Sequence, residues 1–203
     1  MNFVQAFPDT LQLTTDLVKL RMLVHEDIHS LIPLSQSKII WQYFTKNLAH
    51  EDELNLWVAD AMLDKCNEKR FPFVIVQKSN NEICGSTSFG NIFFYDKRIE
   101  IGWTWLGEKF IGKGINMHIK FLMLTYAFEK LGMERVEIKT DNLNIRAKRA
   151  LTKIGATPEG VLRSHMETHD HRRRDSVYYS ILKQEWPSIK RSVFRGIVVF
   201  GQE

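Results

Sequence analysis

Hydrophobic residues recur along this chain with two spacings. A spacing of three to four residues indicates helices, and alternation with polar residues indicates strands. From Glu51 to Arg70 apolar side chains recur every three to four residues, a spacing that predicts an amphipathic helix. Asn116 to Leu131 predicts a second long helix that ends at Gly132. Ile145 to Ile154 predicts a third, compact helix. The segments between these helices have the alternation or the apolar content of strands.

Seven segments are predicted as strands, and short helical segments are expected between residues 27 and 44. Ser79 to Glu82 suits a hairpin turn, while Gly85 and Gly90 allow bends or bulges in the strand that follows. The order of helices and strands predicts an α/β (α+β) domain around one sheet. The predicted strands cover residues 17–23, 71–78, 83–95, 99–105, 135–140, 161–168 and 176–183.

Length and charge narrow the class of protein. With 203 residues, of which 44% are hydrophobic, the chain suits a single domain over residues 1–203. The sequence has no apolar run of transmembrane length and no signal peptide, so we expect a cytoplasmic protein without a membrane partner. A net charge of +4 favours an anionic ligand without requiring nucleic acid. We expect a monomer or a homodimer.

The densest basic patch, His171 to Arg174, lies between the last two predicted strands. It fits either a solvated hairpin tip or a contact for phosphate or RNA. Three histidines, His165, His169 and His171, lie close together in the sequence. No cysteine or second cluster completes a set of ligands around them, so we predict no metal site.

A glycine-rich turn, Gly112 to Gly114, joins a predicted strand to the helix that follows. Such a turn exposes backbone N–H groups at the positive end of a helix dipole, which favours a phosphate or pyrophosphate. The turn is not a P-loop, because its lysine lies between the two glycines and Ile115 follows. It is not a dinucleotide-binding turn either, because Met117 stands where the third glycine is required.

Several ordered motifs surround this turn, and together they resemble the GCN5-related N-acetyltransferase (GNAT) superfamily. Within it, the chain is similar to the RimJ/RimL-like branch of ribosomal-protein N-acetyltransferases. The resemblance covers about residues 15–187 and leaves 188–203 as a C-terminal extension of unknown role. The motifs are Glu100 to Gly102, Gly112 to Asn116, Asp141 to Asn144, Lys153 to Ala156, Glu159-Gly160, Arg174-Asp175, Tyr178 to Leu182 and Glu185-Trp186.

The resemblance implies a GNAT fold with a mixed, mostly antiparallel sheet flanked by helices. It also implies acetyl-CoA as the acetyl donor and an amine acceptor, either a protein N-terminus or a small molecule. Asn144 matches an asparagine near the pantetheine arm, and it could equally be a helix N-cap. The predicted cofactor-binding loop and helix start consist of Lys109, Phe110, Ile111, Gly112, Lys113, Gly114, Ile115 and Asn116.

Glu100 is the candidate base that removes the proton of the acceptor amine, because family members carry a glutamate at this place; a surface glutamate is the alternative. Backbone N–H groups near Gly102 to Trp105 are candidate donors to the thioester oxygen. Strand alternation places Glu100, Gly102 and Thr104 on one face and Ile99, Ile101, Trp103 and Trp105 on a core face.

The acid that protonates the leaving thiolate is open. Many relatives have a serine three residues after the asparagine, but this chain has Ala147, which cannot donate a proton. Tyr178 or Tyr179 could replace it, and alternation places one of them inward and the other outward. Direct protonation by solvent is the third possibility.

The acceptor is also open. Trp41 and Phe44 lie in the segment that borders the acceptor cleft in this fold, although core packing explains them as well. The prediction is an acetyl-CoA-dependent N-acetyltransferase that works by direct attack in a ternary complex. The alternative is a catalytically weak acyl-CoA-binding or regulatory protein, for which Ala147 is the reason. A third hypothesis is RNA or ribosome binding through Arg172 to Arg174.

Overall fold

One eight-stranded sheet organises the computed structural model, which describes residues 1–200. The strand order is β1-β2-β3-β4-β5-β6-β8-β7, with β5 and β6 parallel and the other neighbours antiparallel. The predicted mixed, mostly antiparallel sheet is therefore confirmed. The strands are β1 (Gln12–Thr14), β2 (Val18–Met22), β3 (Arg70–Gln77), β4 (Glu82–Phe93), β5 (Arg98–Leu106), β6 (Arg135–Asp141), β7 (Thr157–Glu167) and β8 (Arg173–Leu182).

Helices cover both faces of the sheet. The helix predicted to begin at Glu51 does so but ends at Cys66, and Glu68 just beyond it has a left-handed φ of +60°. The helix predicted from Asn116 continues beyond Thr125 as a π-turn over Tyr126–Lys130. The helices are α1 (Phe3–Ala6), α2 (Ile28–Ser35), α3 (Glu51–Cys66), α4 (Ile115–Thr125), α5 (Ile145–Lys153) and α6 (Trp186–Val193), of which α1 and α6 were not predicted.

The two faces of β3 show how the layers are divided. Phe71 lies on one face, where the ring of Phe7 stacks on it from the α1 side at 5.2 Å. Arg70 lies on the other face, where its guanidinium lies 4.7 Å from the ring of Trp57 on α3. Because side chains alternate along a strand, α1 and α4 cover one face and α2 and α3 the other. The candidate base, Glu100, lies on the face of Arg70.

The C-terminal extension packs against α4 and meets the edge strand β1, as far as it is described. The apolar segment from Ile197 to Phe200 forms no full strand. It makes a single β-bridge, in which the Phe200 N–H donates to the Thr14 carbonyl at 2.8 Å. Residues 201–203 of the extension lie outside the described residues. None of the helices within residues 1–200 is both long enough and apolar enough to cross a membrane.

Candidate active site

The glycine turn forms an open row of backbone donors between β5 and α4. Gly112 and Gly114 have φ values of +81° and +80°, which glycine adopts without strain. A Cβ built on either residue would have nothing within 4 Å, so this side of the loop is free to receive a ligand. Within residues 1–200, the amides from Gly112 to Asn116 donate to no backbone carbonyl. The turn and the N-terminus of α4 thus present free N–H donors of the kind that hold anions in other proteins.

Most side chains of the predicted cofactor loop are buried or already paired, whereas its backbone amides from residue 112 onward are free to contact a ligand. Phe110 and Ile115 are buried in the core, so only their main chains could reach a ligand. Lys109 forms an ion pair with Glu82 and lies 5.0 Å from the ring of Phe110. Lys113 is exposed and forms no ion pair with any described residue. Ile111 and Asn116 are partly buried. The loop therefore offers backbone amides and the Lys113 ammonium.

A cleft opens where β5 and β6 separate. The two strands pair from Arg98 to Glu100 on β5, and then both continue without pairing to Leu106 and Asp141. Beyond Glu100, the edge of β5 that faces β6 therefore has backbone groups without a strand partner. The glycine turn follows at the far end of this edge. An extended ligand could reach from the turn along the edge to Glu100.

A β-bulge at Trp103 inverts the alternation predicted for β5. Residues 86–88 of β4 face residues 102–105 of β5, so β5 has one extra residue here, and Trp103 has a φ of +52°. The prediction that Trp103 and Trp105 lie on the core face with the isoleucines is wrong. Both lie on the side of Glu100, and Thr104 points to the opposite face.

Contacts on each side of the sheet establish this inversion. The ring of Trp103 lies 4.8 Å from the guanidinium of Arg70, and its edge occupies the space that a Cβ on Gly90 would need. On the other face, Oγ1 of Thr104 lies 2.7 Å from Oγ1 of Thr87. Before the bulge the prediction holds, because Ile99 and Ile101 are fully buried in the core.

Glu100 is buried rather than on the surface, with 4% of its area exposed. Its Oε2 accepts hydrogen bonds from Asn91 Nδ2 and from Lys139 Nζ, each at 2.7 Å. Its Oε1 accepts none within residues 1–200 and lies 2.9 Å from the position of a Cβ on Gly102. Glycine at position 102 thus leaves room beside the oxygen that is free to accept a proton. Lys139 is one of the residues that sequence reasoning missed, because nothing in the sequence pairs it with Glu100.

The two candidate tyrosines lie on opposite faces of β8. Tyr178 pairs with Lys139 across the sheet, and Lys139 Nζ lies 5.8 Å from its ring centre, which puts Tyr178 on the face of Glu100. Tyr179 is buried on the other face beside Ile138. The structure brings Tyr178, and not Tyr179, to the side of Glu100.

His165 adds an imidazole to this side of the sheet. Its ring meets that of Tyr178 edge-on at 5.9 Å, and its Nδ1 is buried without a hydrogen-bond partner in the described part of the chain. Burial lowers the pKa of His165 below its usual value, and the cations of Lys139 and Arg174 lower it further. The imidazole is therefore neutral at physiological pH. From the sequence, His165 is considered only as a metal ligand, and no metal site is predicted.

Lys120 is a second group that the sequence analysis overlooked. It projects from α4 with 4% of its area exposed, and its Nζ donates to Thr104 Oγ1 at 3.2 Å. Burial lowers the pKa of Lys120 to about 7, although the negative charge of Glu100 opposes this shift. A lysine inside the apolar run from Ile119 to Thr125 was the available sequence signal.

Asn144 caps the N-terminus of α5. Its side-chain oxygen accepts a hydrogen bond from the Ala147 N–H at 3.0 Å, and the residue is buried. The interpretation as an N-cap is therefore confirmed. The second role, toward a ligand, stays a prediction.

The three arginines of the basic patch have three different environments. Arg172 forms an ion pair with the buried carboxylate of Asp141. Arg173 is exposed and bonds to Ser164 across the hairpin. Arg174 is buried, with 8% of its area exposed. A solvated hairpin tip therefore describes Arg173 but is wrong for Arg174.

Two cavities flank this face of the sheet. A groove of about 1030 Å³ lies between α2 and strands β2 to β4 and reaches Lys109, but Glu100 does not line it. A smaller cavity of about 150 Å³ adjoins β5 and is lined in part by Trp41, Phe44 and Trp103. Trp41 is 1% exposed and donates from Nε1 to the Ser35 carbonyl at 2.7 Å, so it also belongs to the core.

Comparison with known proteins shows what the whole chain is similar to. The family model described as "Acetyltransferase (GNAT) domain" matches residues 18–157. YdaF of Bacillus subtilis, named provisionally as a ribosomal N-acetyltransferase, is 34% identical over 111 residues, which are 55% of this chain and 60% of YdaF. The match thus spans less than two thirds of that relative.

Solved structures share the fold over most of the chain. A protein of T. thermophilus, named provisionally as an acetyltransferase, superposes with a TM-score of 0.82 and 29% identity, covering 93% of this chain and 96% of the other. Mycobacterium smegmatis RimJ, in complex with CoA-disulfide, superposes with a TM-score of 0.77 and 20% identity, covering 92% and 95%. At that identity, the likeness to RimJ concerns the fold alone.

Proposed function

We propose that this chain, which belongs to the GNAT acetyltransferase family, transfers an acetyl group from acetyl-CoA to a primary amine by direct attack in a ternary complex. The observation that carries the proposal is one cleft with a row of free amides at one end and a buried carboxylate at the other. The amides follow Ile111, and the carboxylate is that of Glu100. The amides suit the anionic pyrophosphate of the acetyl donor, and the carboxylate suits the removal of a proton from the acceptor amine.

Acetyl-CoA binds with its pyrophosphate on the amides from Gly112 to Asn116, where the dipole of α4 and Lys113 add positive charge. Its pantetheine arm extends along the unpaired edge of β5 toward Glu100, with Asn144 on the opposite side of the cleft. The family membership and the free amides support this placement.

The reaction forms a C–N bond and breaks a C–S bond. The amine arrives mostly as an ammonium, so it must lose a proton before its lone pair attacks the thioester carbonyl carbon. Oε1 of Glu100 accepts that proton, because Oε2 is already occupied by Asn91 and Lys139. Backbone N–H groups on β5 between Gly102 and Trp105 stabilise the oxyanion.

The departing thiolate needs a proton. Ala147 cannot supply it, so another residue must. Tyr178 has a hydroxyl on the face of Glu100 and is our candidate. The Lys120 ammonium is the competing donor, because it is buried beside Thr104 and its pKa is close to neutrality.

The acceptor is a protein N-terminus or a small amine. The name of YdaF places ribosomal proteins among the acceptors to be tested first. We further propose a cytoplasmic protein, monomeric or homodimeric, since acetyl-CoA and ribosomal acceptors are both cytoplasmic.

Release of free thiol from acetyl-CoA, measured against a panel of amines and N-terminal peptides, tests the proposal. We expect turnover with at least one acceptor, and a loss of roughly 100-fold or more in kcat for Glu100→Gln. The exposed Glu26→Gln, which makes no side-chain hydrogen bond within residues 1–200, is the matched control and should retain full activity. Tight CoA binding without turnover on any acceptor would favour the alternative of a binding or regulatory protein.

A further inference from the structure

Arg174 is a buried cation that lacks an anionic partner. Its Nη1 reaches the Tyr43 carbonyl oxygen only at 3.4 Å, and its Nε makes no hydrogen bond within residues 1–200. No carboxylate of the described chain forms an ion pair with it. Burial lowers the pKa of this guanidinium, which nevertheless stays protonated at physiological pH. Buried arginines are normally paired, so an unpaired one indicates a missing anion.

The charged groups around Arg174 are already neutralised in pairs. Asp141 is the carboxylate that raises the pKa of Arg174 most, and it forms an ion pair with Arg172. Glu100 forms one with Lys139 at 2.7 Å. The other titratable groups facing it are the Tyr178 phenol and the neutral His165 imidazole. Among Lys139, Arg172 and Arg174, only Arg174 has no ion-pair partner within residues 1–200.

This charge lies at the border of the proposed acceptor cleft. Arg174 and Tyr178 lie four residues apart on β8 and so share the face of Glu100. The turn between β7 and β8 meets the segment 41–48, since Arg174 contacts Tyr43 and the His169 N–H donates to the Phe44 carbonyl at 3.4 Å. Arg174 therefore lies on the face of Glu100 and beside the segment that holds Phe44, a residue predicted to border the acceptor cleft.

A second buried guanidinium, Arg70, serves as a contrast. It lies between the rings of Trp57 and Trp103, at 4.7 and 4.8 Å from their centres, and its Nε donates to Ser88 at 2.8 Å. Two aromatic faces stabilise its charge, which gives Arg70 a packing role. No aromatic ring lies over Arg174 in the described residues.

We infer that Arg174 binds a carboxylate of the acceptor, so that the acceptor is an amine that also carries a carboxylate. The inference rests on the proposed function, because it concerns the same cleft. The carboxylate is either the α-carboxylate of a free amino acid or the acidic side chain of a peptide. Both match the planar fork of the guanidinium.

Matched acceptors that differ only by carboxylate and carboxamide test the inference. One arm compares glutamate with its α-amide, and the other compares N-terminal peptides with Glu or Gln at the second position. We expect kcat/KM to be about 10- to 100-fold higher for the carboxylate member of one arm. The arm that shows the preference identifies the source. Arg174→Met should abolish the preference, Arg174→Lys should restore part of it, and the adjacent, exposed Arg173→Met should keep it.

A binding measurement separates failure of this inference from failure of the proposed function. Calorimetry on the CoA-saturated protein requires no turnover. It compares N-acetylglutamate with N-acetylglutamate α-amide, and the N-acetylated Glu peptide with its Gln counterpart. Tighter binding of a carboxylate member, lost in Arg174→Met but not in Arg173→Met, supports the inference even if no acceptor is acetylated. The inference is overturned if both members of each pair bind equally well and have equal kcat/KM. This holds even if the enzyme proves to acetylate neutral amines, so the proposed function can survive without the inference. CoA affinity reports that each variant is folded.

Discussion

Lys139 Nζ lies 2.7 Å from Oε2 of Glu100, and Oε1 of the same carboxylate accepts no hydrogen bond within residues 1–200. The two oxygens therefore have different tasks: Oε2 is held by the protein, and Oε1 is left for the substrate. Both partners of this ion pair are largely buried, with side-chain exposures of 18% for Lys139 and 4% for Glu100. Such a pair is costly to break, because the remaining charge has no solvent to compensate for its lost partner.

Lys139→Met should lower the free energy of unfolding by about 3 kcal/mol, since it leaves the Glu100 carboxylate buried without its cation. The double variant Lys139→Met/Glu100→Gln should lose less than the two single variants together, by about 1 kcal/mol. Urea unfolding of the four proteins measures both quantities. Strict additivity would mean that the ion pair contributes nothing to stability.

The buried Lys120 makes the free energy of unfolding increase with pH above about 7. Its pKa is lowered from the ordinary value of 10.5 to about 7 in the folded protein, so the unfolded chain binds more protons between these two values. Its contribution to the free energy of unfolding therefore rises with pH from about 7 toward 10.5. Below pH 7 the folded protein must bury a charged ammonium.

Lys120→Met removes that penalty, and we expect it to be more stable than the unmodified protein by about 5 kcal/mol at pH 6. The advantage should shrink steadily as the pH approaches 10. Urea unfolding at three pH values within this range gives the measurement. A constant difference across the series would show that Lys120 has an ordinary pKa.

Tyr178→Phe should lower kcat about tenfold or more while leaving the KM for acetyl-CoA unchanged, because only the departing thiolate uses the hydroxyl. Tyr179→Phe, on the opposite face of β8, should be active at the full rate. Steady-state kinetics on both variants compares the two tyrosines directly. If Tyr178→Phe is fully active and Lys120→Met instead loses kcat, the proton comes from Lys120.

Gly112→Ala should weaken CoA binding by about tenfold, because an alanine at a φ of +81° strains the loop by about 1 kcal/mol and shifts its amides. The added methyl group itself meets nothing within 4 Å, so the effect is one of backbone conformation. Gly160→Ala is the matched control, since it also has open space around it but no positive φ. Calorimetric titration with CoA should show a loss for position 112 and none for position 160.

The helices and most strands could be predicted because their signals are local. The period of the apolar residues identified α3, and glycines bracketed α4, to within a few residues of the observed ends. The face of each residue on β5 could be predicted only as far as Gly102. The bulge at Trp103 depends on how β5 is paired with β4, and pairing is a relation between distant segments.

The sequence by itself determined the anion turn from Gly112 to Gly114 and the candidacy of Glu100, because glycine spacing and a family motif are properties of contiguous residues. Only the tertiary structure decided which tyrosine faces Glu100 and which of three consecutive arginines is buried without a partner. Burial and charge pairing arise from residues far apart in the chain, such as Lys139 beside Glu100 and Tyr43 beside Arg174. The turn indicates the donor, and the packing around Arg174 supplies the first physical argument about the acceptor.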